Sequence, residues 1–208
     1  MTGHTLIAGV TGSGKSYAEH RLVESVLKTD CELVLLDPKL VELVEYKDDP
    51  HVVAYASDID EIVYTLEDCV EEMEERYSAM LDKGIKQWDG KPRYIFLDET
   101  ADVMVLRKKE AVHALNRLSM LGRAAKVWLV LCTQRSTADI IPRTIVINLD
   151  NIVCLRQAKP RDSYELVGRS GAEKFPRYGI AFLKTPDIPT AGKFRTDDVI
   201  TKLLEGVA

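Results

Sequence analysis

The sequence predicts an α/β fold: a mainly parallel central sheet with helices packed on both faces. Three observations carry the prediction. Short apolar runs recur at 4–9, 32–37, 51–56, 93–98, 126–132 and 151–156. Each is nearly continuous in its apolar character, the pattern of strands covered on both sides, and does not alternate apolar with polar. Stretches of helical periodicity separate most of them, so the connections are crossovers and not tight hairpins.

In chain order, HTLIAG (4–9) is the first strand, followed by a glycine-rich turn and a helix from about Lys15 to Lys28. ELVLLD (32–37) is the second strand, ended by Pro38, and HVVAYA (51–56) the third. From about Asp58 to Lys83, Ile62, Leu66, Val70, Met73, Tyr77 and Met80 recur at three- and four-residue spacing, one face of a long amphipathic helix. Glu67, Glu71, Glu74 and Glu75 occupy its other face. Residues 83–92 form a polar connection. RYIFLD (93–98), KVWLVLC (126–132) and NIVCLR (151–156) are three more strands of the buried type. Helical segments fill about 99–124 and 160–168, and GIAFLK (179–184) reads as a late edge strand. Ligands of such sheets bind beyond the carboxyl ends of the strands, so the chemistry is sought there.

A chain of 208 residues has the length of one domain. Its 46% hydrophobic and 29% charged residues exclude disordered, collagenous and low-complexity classes. No apolar run approaches the ~18 residues of a membrane span, and the first residues lack the pattern of a secretory signal. Cys31, Cys69, Cys132 and Cys154 are scattered, with no CxxC pair and no histidine at metal spacing. They read as core-filling thiols of a reducing cytoplasm. The net charge of −5 is unevenly spread. Residues 105–180 hold 14 Lys/Arg against 6 Asp/Glu, and residues 58–75 hold nine acids with no Lys or Arg. Such a molecule can turn one basic face to a polyanion while remaining acidic as a whole.

GVTGSGKS (Gly9–Ser16) fits G-x-x-x-x-G-K-[ST] completely and stands between a strand and a helix, the context that gives the motif its meaning. Gly9, Gly12 and Gly14 let the backbone aim amide N–H groups at phosphate oxygens, and the helix adds its positive end. Candidate nucleotide contacts are therefore Gly9, Val10, Thr11, Gly12, Ser13, Gly14, Lys15, Ser16 and Tyr17. Lys15 would meet the β/γ-phosphates of ATP, and Ser16 would ligate Mg²⁺.

Asp98 and Glu99 end an apolar strand, where carboxylates are seldom found unless paired or cation-bound. Asp98 would complete the magnesium shell. Glu99 would orient and deprotonate the attacking water, which favours hydrolysis over phosphotransfer to a small molecule. Thr133 and Gln134 end the next strand, within reach of the γ-phosphate or the water. Arg123, with no partner evident in the sequence, is either a finger for a neighbouring subunit's phosphate or a cation favoured at a helix C-terminus. Arg107, Lys108 and Lys109, with Arg143, resemble exposed basic loop tips able to contact phosphates without reading bases.

Together these segments resemble the motor domain of FtsK/SpoIIIE-type DNA translocases, in the FtsK–HerA superfamily of ring ATPases. The resemblance runs from about residue 4 to 187. It includes LIAGVTGSGKS, the DPK followed by Glu42-Leu43, CVEEMEERY (69–77), YIFLDETADVM (94–104), GRAA (122–125), LVLCTQR (129–135) and GAE (171–173). It implies a RecA-like P-loop NTPase of one motor domain over 1–208, its core at about 4–187 with a short C-terminal extension at 188–208. It also implies a homohexameric ring that moves double-stranded DNA by ATP hydrolysis. By position, Gln134 matches the family's sensor, Arg123 its trans-acting finger, and Arg107 to Lys109 a loop facing the pore.

Ser136 and Ile152 depart from the family pattern, leaving Arg143 as a substitute for a second DNA-contacting loop. The family's winged-helix module and membrane-spanning portion have no counterpart in these residues, so a loading or specificity partner is expected. The alternatives are a nucleotide-switched adaptor that binds DNA or a partner without translocating, and a small-molecule kinase.

Overall fold

Within each strand successive side chains face opposite sides of the sheet, and the buried residues divide accordingly. Leu6, Val34, Leu36, Ile95, Leu97 and Leu129 belong to one apolar cluster. Ile7, Leu33, Leu35, Phe96, Val130 and Val153 belong to the other. The computed structural model that displays this division describes residues 2–134 and 140–205.

The strands are β1 (Thr5–Ala8), β2 (Glu32–Leu36), β3 (Val52–Ala56), β4 (Arg93–Leu97), β5 (Val127–Thr133), β6 (Asn151–Cys154), β7 (Ile180–Thr185) and β8 (Ile188–Arg195). They form one sheet in the order β3-β2-β4-β5-β1-β6-β7-β8. The first six in that order are parallel, and β7 and β8 join antiparallel. The mainly parallel sheet predicted from the apolar runs is therefore present.

Both faces are covered. On one side lie α2 (Ile59–Lys83), α3 (Thr100–Leu106), α4 (Lys108–Ala125), the short α5 (Arg143–Val146) and α6 (Pro160–Val167), all contributing to the first cluster. On the other lie α1 (Lys15–Val26) and α7 (Thr196–Leu204). The α2 helix begins where the Asp58 side chain accepts the amides of Asp60 and Glu61, and it ends at Gly84 with φ 65°. Its buried Arg76 is well partnered: Glu32 and Glu72 lie at 2.8 and 2.9 Å, and the carbonyls of Lys91 and Ala125 accept from Nη1. A charge so satisfied ties α2 to β2 and to the amino edge of the sheet.

Two sequence expectations need correction. Residues 179–184 are not an edge strand, because β8 pairs outside β7 and takes the edge. The core does not end at 187: residues 188–204, expected as part of a short C-terminal extension, continue it. They supply β8 and α7, and Val199, Ile200 and Leu203 close the second apolar cluster. The helical segments expected at 99–124 are α3 and α4, which meet at Arg107, with φ −135°.

Strand β1 is central, with Ala8 level with Thr133 of β5 and Cys154 of β6. Whatever follows β1 therefore emerges between two strand tips, over the covered middle of the sheet.

Candidate nucleotide site

The loop at 9–14 is fastened to both neighbouring strands. Gly9 N–H donates to the Thr133 carbonyl at 3.1 Å, and Val10 N–H donates to the Arg156 carbonyl at 3.0 Å. Gly14, the residue before α1, has φ 91°, a left-handed conformation that favours glycine. Gly9 is required for space, since a Cβ there would lie 2.4 Å from Ser13 Oγ. The buried Ser13 hydroxyl has no hydrogen-bond partner among the described residues. A cavity of about 620 Å³ opens over this loop, lined by Val10, Thr11, Gly12, Gly14, Lys15, Ser16 and Tyr17 among others.

Lys15 opens α1 and points inward. Its ammonium donates to Asp98 Oδ1 and lies 3.8 Å from Glu19 Oε2, one helical turn on. Burial works against its charge, but Cys132, Glu19 and Asp98 around it more than offset this and raise Lys15 above the usual lysine range. Burial likewise raises the Asp98 carboxyl, with Lys15 pulling against it. Ser16 Oγ donates to Glu42 Oε1 at 2.6 Å, and Glu42 Oε2 lies 3.3 Å from His20 Nε2. Ser16 and Asp98 thus present oxygen donors of the kind Mg²⁺ takes alongside water and phosphate. Among the described residues no trio of His, Cys, Asp and Glu forms a metal cluster. The residues present fit a magnesium–nucleotide and not a protein-only metal cage.

Glu99 sits at the junction of β4 and α3 with φ 45° and ψ 56°. A non-glycine residue in this region is held there by its surroundings, and such strain concentrates at functional sites. The holding contacts are visible. Lys39 Nζ donates to Glu99 Oε2 at 2.9 Å, and Gln134 N–H donates to Glu99 Oε1 at 3.3 Å. The Gln134 side chain in turn accepts the Thr11 hydroxyl at 2.6 Å. Lys15, Ser16, Asp98, Glu99 and Gln134 are therefore gathered at one sheet edge by the tips of β1, β4 and β5. Tyr17 is at the rim, its hydroxyl donating to Asp197 at 2.6 Å.

Arg123 is elsewhere. It lies in the last turn of α4, just before β5 begins, at the edge of the sheet opposite the glycine loop. The sequence shows no partner for it, but the structure pairs its guanidinium with Asp150. Asp150 also accepts the His4 amide at 3.0 Å.

The basic residues are not gathered either. Arg107, Lys108 and Lys109 are exposed at the α3–α4 junction, a break between helices and not a loop, where Arg107 pairs with Asp60. Arg143 opens α5 and borders a groove shared with Asp150 and Lys184, toward the end where β6 begins. Arg135 and Ser136 lie outside the described residues.

Sequence reasoning missed three groups. Asp37, buried, accepts the amides of Lys39 and Leu43 and so shapes the turn that delivers Lys39 and Glu42. The Asp-Pro-Lys triplet at a strand end was its only signal. Glu19 could have been found as an acid on the buried face of α1. Arg177, in the loop before β7, carries no sequence signal of its own, yet lines the cavity.

Glu19 carries a pH dependence. Both its oxygens are buried without a conventional hydrogen-bond partner, and its polar neighbours are Lys15 and the Cys132 thiol. Burial, reinforced by Asp98 and opposed by Lys15, raises its pKa to about 8. The unfolded chain releases this proton near the ordinary value of 4.5, the native protein only near 8. Stability therefore falls as pH rises through that window, by at most ~1.4 kcal/mol per pH unit from this one group. Glu19→Gln should flatten the decline, so that its urea midpoint gains on wild type between pH 5.5 and 7.5. A gap between the two proteins that does not change with pH would contradict the assignment.

A glycine loop on the central strand of a parallel sheet, with two acids at a nearby strand tip, defines a P-loop ATPase fold. The chain belongs to the FtsK/SpoIIIE family, whose model matches residues 1–178. It is 29% identical to DNA translocase SpoIIIE of Bacillus subtilis, over 98% of this chain and 30% of that protein. It is 32% identical to DNA translocase FtsK of Borreliella burgdorferi, over 98% of this chain and 29% of that protein. The chain thus spans under a third of the length of these relatives.

Among solved structures, the conjugation coupling protein TcpA of pCW3, with ATPγS, superimposes with a TM-score of 0.82 at 22% identity, covering 100% of this chain and 65% of that one. The DNA-packaging ATPase B204 of Sulfolobus turreted icosahedral virus gives 0.62 at 16% identity, covering 93% and 97%. At these identities the likeness is one of fold. No helix among the described residues is long and apolar enough to cross a membrane.

Proposed function

We propose that this chain is an ATP-driven motor acting on double-stranded DNA, a single RecA-like domain that works as a ring, with six subunits as in the family it resembles. The observation that carries this reading is the division of the catalytic set between two edges of one sheet. Lys15, Asp98, Glu99 and Gln134 meet at the carboxyl edge, while Arg123 stands at the amino edge. No movement within one folded sheet brings them together, whereas head-to-tail packing of two copies does.

Water held by Glu99 attacks the γ-phosphorus in line, its proton passing to the Glu99 carboxylate as the bond to the β-phosphate oxygen breaks and ADP leaves. Lys15 leaves Asp98 to meet the phosphates, and a neighbour's Arg123 spreads its donors over the charge that builds up. Magnesium, which Ser16 and Asp98 would hold, would offset negative charge on the phosphates. Gln134, bonded to both Glu99 and Thr11, couples the water-activating acid to the glycine loop. The DNA substrate is supported by the family and by the exposed Arg107, Lys108 and Lys109, which suit backbone contact without base reading. A loading partner, a cytoplasmic setting and service in packaging, conjugative transfer or segregation complete the reading.

The test is ATP turnover with and without long duplex DNA at two salt concentrations, alongside the assembled mass. Turnover should rise with DNA, the rise should shrink at high salt, and the protein should sediment as a ring. A protein that remains a monomer at every concentration, with turnover indifferent to DNA, would replace the motor with a nucleotide-switched adaptor.

A further inference from the structure

The loop leading into β7 lies directly on the glycine loop, although 165 residues separate Gly12 from Arg177. A Cβ on Gly12 would meet Arg177 Nε at 2.9 Å, and a Cβ on Gly14 would meet the Tyr178 Cβ at 3.5 Å. Gly12 also has φ 73°, a left-handed conformation that favours glycine, and the guanidinium lies directly over it. Arg177 is exposed, and no carboxylate among the described residues pairs with it. Arg195, at the start of α7, lines the same cavity and is likewise unpaired among them. Lys15 is different in kind, anchored from below by Asp98 and Glu19. An arginine held against a loop built to gather amides around an anion, and lacking a counter-charge of its own, is placed to receive that anion.

We propose that Arg177 is a phosphate-contacting residue of the nucleotide site, supplied by the same chain from the loop before β7, with Tyr178 beside it walling the nucleoside end of the cavity. The inference rests on the reading of residues 9–17 as a nucleoside triphosphate site and names a group that the motif does not contain. Its planar fork can span two phosphate oxygens where the Lys15 ammonium acts at a point. Occupancy then clamps the antiparallel extension of the sheet to the glycine loop.

The test is a titration of the full chain with N-methylanthraniloyl-ATP, competed by tripolyphosphate, for wild type, Arg177→Gln, Arg177→Lys, Tyr178→Ala and Lys15→Ala. Arg177→Gln should weaken both the nucleotide and tripolyphosphate by about tenfold, the scale of one charge-assisted hydrogen bond. Arg177→Lys should recover part of the loss. Tyr178→Ala should weaken the nucleotide and leave tripolyphosphate unchanged, a split that a merely structural role for the loop would not produce. Melting points without nucleotide should stay at the wild-type value, because both side chains are exposed. If Lys15→Ala loses binding while Arg177→Gln keeps wild-type affinity, this inference falls and the site stands. If both variants bind like wild type, the site itself falls.

Discussion

Glu99→Gln is expected to bind ATP as wild type does and to hydrolyse it at least a hundredfold more slowly, the scale on which a general base contributes. The amide keeps the size of the carboxylate, and its one oxygen can still accept from either Lys39 or the Gln134 N–H, which now bond separate carboxylate oxygens and hold position 99 in its left-handed backbone. What it cannot do is take a proton from water. Binding should survive because Glu99 contacts neither the glycine loop nor Ser16, and approaches the loop only through Gln134 and Thr11. Phosphate release at saturating ATP and fluorescent-nucleotide titration measure the two quantities separately. Turnover within about twofold of wild type would remove Glu99 from the proton transfer, since the amide has no basicity to offer in its place. Loss of nucleotide affinity together with turnover would instead mean that the residue supports the loop.

The central strands were legible because burial on both faces leaves a plain trace, a continuous apolar run bounded by polar residues. TLIA, ELVLL, RYIFL and VWLVLCT all became strands within a residue or two of their expected ends. The last part of the sheet leaves no such trace. Of β8 only Ala191 is buried, and Pro189 and Gly192 are weak strand residues, so nothing in IPTAGKFR announces pairing. Its position comes from β7, which supplies the ladder, and from α7, which covers β7 with Val199 and Leu203. At Arg107 the sequence led to a basic loop tip, but VLRKKEAV contains neither Pro nor Gly, and α4 begins directly at Lys108.

The site divides along the same line. Residues at fixed spacing on one segment, such as Gly9 to Ser16, or at a strand tip, such as Asp98 and Glu99, declare themselves locally. Residues delivered by topology do not. Lys39 reaches Glu99 only because β2 and β4 are neighbours, and Arg177 reaches Gly12 only because β7 is added beside β6. Arg123 shows both sides of this. The sequence placed it correctly at a helix end before a strand, and sequence distance concealed Asp150, 27 residues away, which the β6 register brings to it.

Arg123→Ala is expected to reduce turnover by about a thousandfold or more, the range of an arginine finger, with nucleotide affinity retained. Its site and its own phosphate loop occupy opposite edges of the sheet, so the loss would be felt in the neighbouring copy. Arg123 is 70% exposed and so free to leave Asp150, whose carboxylate is 10% exposed. The decisive measurement mixes chains. Arg123→Ala subunits carry an intact phosphate loop, and Lys15→Ala subunits carry an intact arginine; each is inactive alone. In rings assembled from equal amounts, about a quarter of the seams would place an intact loop against an intact arginine, because every seam of a head-to-tail ring joins one copy's front to the next copy's back. Turnover should recover to a comparable fraction of wild type, and further if one intact seam drives its neighbours. Native mass measurement would establish that both chains occupy the same ring. Mixed rings with no recovery would place Arg123 outside the reaction, and its pairing with Asp150 would then be a surface contact at the foot of β6.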